Sequence, residues 1–218
     1  MPPAGYDLFD AFGAALQEWE WDLALLQEVP PWWPAPLGRR LRAEYRVAPT
    51  SRNALPRVRE ALARRWPDVM KSQGGGANAI LARRDRIVSD GVRLLCRRPE
   101  RRVAHGVLLG CGVWVVNLHA TAHDTAAAQR DGMTAAEAAR EWSGDGPVVL
   151  GGDFNLRDPQ WPGFTWVAGH DVDHIFIAGA LSAVGSAGVL DRGSLSDHAP
   201  VVAEVTLTTG RIEGRADV

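Results

Sequence analysis

Residues 147–155 read Pro-Val-Val-Leu-Gly-Gly-Asp-Phe-Asn. The apolar run Pro147–Gly151 has the length and composition of a buried strand, and the paired glycines end it. Asp153 and Asn155 therefore stand just beyond a strand end. Glycine, aspartate and asparagine are also ordinary turn formers, so this stretch alone fits a plain turn as well as a site.

The same arrangement recurs along the chain. The run DLALLQ (22–27) ends on Glu28, and VWVVNL (113–118) ends on His119. Asp173 opens the run HIFIAG, and Asp197 and His198 lie in SDHAP (196–200), just ahead of VVAEV. Each residue has a duller reading of its own. Glu28 fits a solvated strand end, His119 a core histidine, Asp173 a strand start and Asp197 a cap. Taken together they put several carboxylates, two histidines and an amide at strand ends that can share one rim. Crowded carboxylates raise one another's pKa unless a cation compensates them, and a hard divalent ion with oxygen ligands is the natural partner.

Working outward, Leu8, Phe9, Phe12, Leu16 and Trp19 recur at three- and four-residue spacing and predict an amphipathic helix. Pro30, Pro31, Pro34 and Pro36 predict a loop carrying Trp32 and Trp33. A second helix is expected over about 51–66, and a third over 125–142. Strands are expected near 22–27, 78–82, 87–97, 103–109, 113–118, 147–151, 173–178, 181–190 and 199–207. Many strands in succession favour antiparallel pairing. No repeat or long linker interrupts the pattern, so residues 1–207 read as one domain and 208–218 as a disordered tail.

Composition excludes more than it selects. The 218 residues are 46% hydrophobic and 23% charged, ordinary values for a globular protein. No apolar run approaches the length of a membrane span, and the N-terminus lacks the pattern of a secretion signal. Two cysteines, Cys96 and Cys111, make no disulfide framework and fit a reducing, cytoplasmic setting. Residues 39–102 hold 18 of the 24 basic and 6 of the 26 acidic residues, a local charge of +12 against −14 elsewhere. That basic half can attract a phosphate-bearing partner, nucleic acid included. Only Lys71 is a lysine, however, and an arginine-rich coding habit accounts for most of the charge. Trp32, Trp33, Trp161 and Trp166 are candidates for a base-stacking rim, with simple packing the leading reading.

The ordered series LLQEV (25–29), NLH (117–119), GGDFN (151–155), DHIFI (173–177) and SDHAP (196–200) resembles the endonuclease/exonuclease/phosphatase superfamily of deoxyribonuclease I-like hydrolases. The likeness covers about residues 20–207. It implies a four-layer α-β-β-α sandwich, with two mostly antiparallel sheets face to face and helices outside. It also implies a Mg2+-dependent phosphoester hydrolase, with Mn2+ as an alternate ion. Carried over by position, Glu28 and Asp197 are metal-site carboxylates. Asp153 and Asn155 handle the attacking water and the phosphate. His198 is the general base, Asp173 orients it, and His119 is the second histidine. Asn78, in GANAIL, joins Asn155 as a substrate-side polar residue. These roles suit the chemistry: a carboxylate fixes the tautomer of a histidine, which takes a proton from water, while a metal ion neutralises phosphoryl charge.

One motif of the resembled pattern is not found. The family opens with a strand ending in an Asn, whereas this sequence runs from Met1 almost directly into its first helix. The later positions are all intact, so the expectation is that this strand is encoded upstream of Met1. The other reading is an impaired scaffold serving as a binding module. DNA, RNA, inositol phosphates and phospholipid headgroups all remain open as substrates. Gln27-Glu28-Val29 departs from the QET-type segment of the abasic-site repair branch, and nothing supports a sphingomyelinase role. Oligomeric state is not legible.

Overall fold

The structure is a computed structural model and describes residues 8–50, 76–98 and 100–208. The helix expected over 51–66 and all but the first residue of the expected tail lie outside those residues. Thr208 still donates its amide to the carbonyl of Ala180.

Three helices and eleven strands make up the described chain. The helices are α1 (Phe9–Glu18), α2 (Pro34–Leu41) and α3 (Thr125–Ser143). The strands are β1 (Leu23–Val29), β2 (Glu44–Pro49), β3 (Ala77–Ala82), β4 (Ile87–Cys96), β5 (Arg102–Leu109), β6 (Trp114–His119), β7 (Val148–Asp153), β8 (Thr165–His170), β9 (Asp173–Ala178), β10 (Leu181–Val189) and β11 (Val201–Leu207). One sheet has six strands in the order β4-β5-β6-β7-β9-β8. Its β6–β7 pair is parallel, and its other pairs are antiparallel. Facing it are a three-stranded sheet, β1-β3-β2, and a two-stranded sheet, β10-β11.

Three apolar clusters separate four layers. Ala128, Ala135, Ala136 and Ala139 of α3 pack on Val116, Leu118, Leu150 and Phe176 of the six-stranded sheet. Small alanines let the helix lie close, and Asp124 caps it by accepting from the Ala127 amide at 2.9 Å. Ile80, Val107, Val115, Val149 and Ile177 fill the space between the sheets. Leu16, Trp33, Leu37, Leu41 and Leu81 join α1 and α2 to the outer face of β3. This is the α-β-β-α sandwich the family resemblance implies, with the second sheet in two pieces among the described residues.

Three local expectations need correction. The proline run is not all loop: Pro34 begins α2, because a proline costs little in the first turn of a helix, where its missing N–H has no partner to lose. Two further strands, β2 and β8, were not expected. β2 reads Glu-Tyr-Arg-Val-Ala-Pro, with exposed charge and a terminal proline, and it lies at a sheet edge where such residues are tolerated.

Asn117 ties the two sheets together beside the later site. It is completely buried. Its Nδ2 donates to the carbonyls of Leu26 (2.9 Å) and Ala79 (3.0 Å), and its Oδ1 accepts from Gln27 Nε2 at 2.7 Å. One amide on β6 thus satisfies groups on β1 and β3 across the core. Replacing it with leucine removes all three bonds and strands buried partners. Asn117→Leu is expected to destabilise the protein by about 2–4 kcal/mol. Urea denaturation of both proteins measures this; a loss under ~0.5 kcal/mol would show that the clamp is dispensable.

Candidate active site

Sheet register sets the site. Parallel pairing of β6 with β7 puts His119 opposite Asp153, and antiparallel pairing of β7 with β9 puts Asp153 opposite Asp173. The three residues form one row across three adjacent strands at a sheet end. Gly152 makes the approach possible. It has φ +134°, and a Cβ there would lie 2.1 Å from the Leu118 carbonyl oxygen, so only glycine fits before Asp153.

From the SDHAP loop, His198 reaches this row. Its Nδ1 lies 2.7 Å from Asp173 Oδ2. Asp173 thereby fixes the ring, with Nδ1 carrying a proton. The same bond, helped by the charge of Asp173, Asp153 and Asp197, raises the imidazolium pKa to about 9. His119 Nε2 lies 3.3 Å from Asp153 Oδ2. Burial drives the two in opposite directions: desolvation lowers His119 to about 3 and raises Asp153 to about 6. His119 is therefore neutral at pH 7, and its contact with ionised Asp153 requires the proton on Nε2. That leaves buried Nδ1 without a hydrogen-bond partner, 3.7 Å from Glu28 Oε1.

Asn155, at φ 51°, caps the Asp153 turn. Its amide N–H donates to Asp153 Oδ1 at 2.8 Å, and its Nδ2 donates to the Ala120 carbonyl at 3.1 Å. Glu28 sits on a bulge of β1 at φ 52° and turns an exposed carboxylate toward the row. Asp197 is exposed on the other side. Its backbone carbonyl accepts from Arg192, and its charge is felt at His198. Asn78 departs from expectation. It is fully buried between the sheets, with Nδ2 donating to the Val103 carbonyl at 3.2 Å, so it lines the core beneath the rim and offers no exposed atom to a substrate.

Arg102 joins the site without any motif to mark it. This buried guanidinium lies 3.9 Å from Glu28 Oε1 and 2.7 Å from Glu100 Oε2, and its charge lowers the pKa of both His119 and Asp153. Its place in an arginine-rich stretch hid it; the usable signal was its position opening an otherwise apolar strand. Of the four tryptophans weighed as a stacking rim, Trp33 and Trp161 are core residues. Trp166 is 54% exposed and donates its Nε1–H to His174 Nδ1 at 3.3 Å.

Ligand atoms of Asp153, Asp173 and His198 lie within 4.8 Å of one another. Two carboxylates, one of them desolvated and short of compensating charge, together with the unpartnered His119 Nδ1 nearby, make a donor set that suits a hard cation. The geometric cluster differs from the pair named from the sequence: Glu28 flanks it on the Arg102 side, and Asp197 stands on the loop.

Residues 5–198 match the model of the Endonuclease/Exonuclease/phosphatase family, and the chain belongs to that family. Solved structures agree on the fold. An endonuclease/exonuclease/phosphatase from Bacteroides vulgatus superposes with TM-score 0.68 at 17% identity, covering 91% of this chain and 90% of that one. The mannosyl-6-phosphatase of Bacteroides thetaiotaomicron gives TM-score 0.66 at 16% identity over 91% and 90% of the two chains. TDP2 from C. elegans gives 0.61 at 15% identity over 83% and 61%. The sequence matches none of the curated proteins. Family membership indicates a hydrolase of the phosphoesterase or nuclease type.

The raised pKa of Asp153 has a consequence for stability. A carboxyl whose folded pKa lies above its unfolded value of 3.8 favours the folded state when protonated. That contribution is full below about pH 4 and is lost as pH rises through about 6. Asparagine keeps the acceptor for the Asn155 amide without the charge. Asp153→Asn is therefore expected to be more stable than the parent at pH 8 without divalent ions, by on the order of 2 kcal/mol, with the gap closing toward pH 4. Thermal melts in chelator across this range test it; equal melting at pH 8 would contradict the assigned strain.

Proposed function

We propose that this protein hydrolyses phosphoesters at the rim formed by the ends of β1, β6 and β7 and the starts of β9 and β11, with Mg2+ as the metal and Mn2+ as an alternate. The observation that carries the reading is the row His119–Asp153–Asp173, with His198 hydrogen-bonded to Asp173 at 2.7 Å. When bound, the ion supplies charge neutralisation for a phosphoryl oxygen and its leaving group. Glu28 and Asp197 are the carboxylates assigned to it by the family motifs, and Asp153, clustered with Asp173 and His198, is a further oxygen that would hold it.

The protein's own groups do the rest. Asp173 holds His198 in the tautomer that leaves Nε2 facing outward, ready to take a proton from water. Its high pKa makes it a strong base once neutral, and any positive charge brought into the rim pulls that value down toward the working range. Asp153, through the oxygen not engaged by the Asn155 amide, aligns the attacking water. Asn155 keeps one Nδ2 hydrogen beyond its bond to Ala120 and is the N–H donor toward a phosphate oxygen, while neutral His119 supports Asp153 through its Nε2–H. Arg102 offsets the negative charge of Glu28 and steers anions toward the rim. Substrates named for the neighbours, a mannosyl 6-phosphate among them, mark the range to test. The free thiols Cys96 and Cys111 favour a reducing, cytoplasmic setting.

The test is a Mg2+ titration on chromogenic mono- and diesters, single-stranded and duplex DNA, and RNA. His198→Ala and Asp153→Ala are each expected to lower turnover by roughly two to four powers of ten. Glu28→Gln keeps the base and loses a metal oxygen, so part of its loss returns at high Mg2+. No turnover of any of these substrates would favour the binding-module reading, and a Glu28→Gln defect indifferent to Mg2+ would remove Glu28 from the metal.

A further inference from the structure

Helix α3 buries a stripe of small residues, Ala128, Gly132, Ala135, Ala136 and Ala139. One carboxylate stands among them: Asp131 is 4% exposed. A charge in such a stripe is costly unless hydrogen bonds offset it. Asp131 Oδ2 accepts from the Thr121 amide at 2.8 Å and from the Thr121 hydroxyl at 2.6 Å. The Thr121 N–H is one end of a peptide group whose other end is the Ala120 carbonyl. That carbonyl accepts from Asn155 Nδ2 at 3.1 Å. One rigid peptide plane therefore joins a carboxylate on α3 to the side-chain amide of Asn155. The next residue of the helix seats the other loop. A Cβ on Gly132 would collide with the Trp161 ring, and Trp161 stacks on Phe154 with centroids 5.8 Å apart. Asp131 and Gly132 thus hold, from adjacent places on one helix, the two segments that meet at Asn155.

We propose that Asp131 is a positioning residue: acting through the Ala120–Thr121 peptide group, it fixes the amide plane of Asn155, and with it the direction of the Asn155 N–H left for a phosphate oxygen. What that N–H serves rests on the hydrolase reading; how it is aimed does not. The physical step is polarisation. A peptide N–H bonded to a carboxylate makes a charge-assisted bond, and the C=O of the same peptide becomes a better acceptor. A carbonyl only accepts, so a stronger acceptor at Ala120 selects Nδ2 over Oδ1 of Asn155. Asn155 depends on that selection. Its backbone lies in the left-handed region at φ 51°, and its own amide N–H is taken by Asp153 Oδ1. Its side chain is only half-buried, and the Ala120 bond is what holds the amide plane. With that bond weakened the amide rotates, and the remaining N–H loses its fixed direction.

The experiment reads the Asn155 side chain directly by NMR, in the full chain without divalent ions. Its Nδ2 proton pair is assigned by its loss in Asn155→Ala. Solvent exchange of the proton bonded to Ala120 is then measured in the parent, Asp131→Asn and Thr121→Val. Asp131→Asn keeps the shape and removes the charge, and is expected to speed that exchange by about threefold or more. Thr121→Val loses the hydroxyl bond but keeps the peptide N–H on the carboxylate. It should lower the thermal midpoint and leave Asn155 exchange close to that of the parent, whereas a merely structural role for Asp131 would move both variants alike. Unchanged exchange in Asp131→Asn, or exchange moved as far by Thr121→Val, overturns the proposal. If Asp131→Asn does not fold, scalar couplings across the two hydrogen bonds in the parent decide. Couplings from Thr121 N to the Asp131 carboxyl carbon and from Asn155 Nδ2 to the Ala120 carbonyl carbon must both be present, and the absence of either overturns it. On any ester that is turned over, Asp131→Asn should lower kcat by roughly threefold to tenfold with KM little changed, and by less than about twofold in the Asn155→Ala background. An equal cost in both backgrounds contradicts action through Asn155. No turnover at all counts against the hydrolase reading alone, because the exchange and coupling readouts need none.

Discussion

The site depends on strand register. β6 and β7 pair in parallel, β7 and β9 antiparallel, and the two registers meet so that His119, Asp153 and Asp173 lie in one row. A slip of one residue in either pairing would turn a member of the row to the opposite face of the sheet. Register is held by the apolar faces of β6, β7 and β9 against α3 on one side and the facing sheet on the other. Gly152 permits the close approach at the last step. Asn117, two residues before His119 on the same face, then locks β6 to β1 and β3. Packing, pairing and one buried amide thus place chemistry-bearing side chains that lie as much as 170 residues apart in the chain.

The electrostatics follow from that placement. Burial sets Asp153 and His119 against each other, one raised and one lowered, while His198 gains its proton affinity from Asp173. The protein groups of the rim are therefore a carboxyl short of compensation, a histidine with a bare buried nitrogen and a second histidine carrying charge. Arg102 supplies fixed positive charge to one side only. Opposed pKa shifts in one cleft are a frequent mark of a working site, and here they coincide with the family's motifs.

Much of this was legible in the sequence because motif residues follow directly on apolar runs, and an apolar run locates a strand end. GGDFN and SDHAP announced the fold, and DLALLQ announced the position of Glu28. What stayed hidden depends on partners remote in sequence. Arg102 looked like one more arginine among many; its approach to Glu28, on β1, exists only once the two sheets face each other. Asn117 lay inside a quoted motif, but its three partners belong to β1 and β3. Asn78 differs in the opposite sense: the family resemblance implied a substrate-side polar residue, and pairing in a wholly buried strand puts its side chain between the sheets. Strand β2 escaped because edge strands need not be apolar.

The central claim is that the rim is a divalent-metal phosphoester site. Its most direct test is an anomalous difference map from crystals soaked in Mn2+. The account predicts one dominant peak at the rim, with Asp153 and Glu28 oxygens among its ligands, and loss of that peak in Asp153→Asn. A dominant peak away from the rim, or none at Mn2+ concentrations that support turnover, would contradict it.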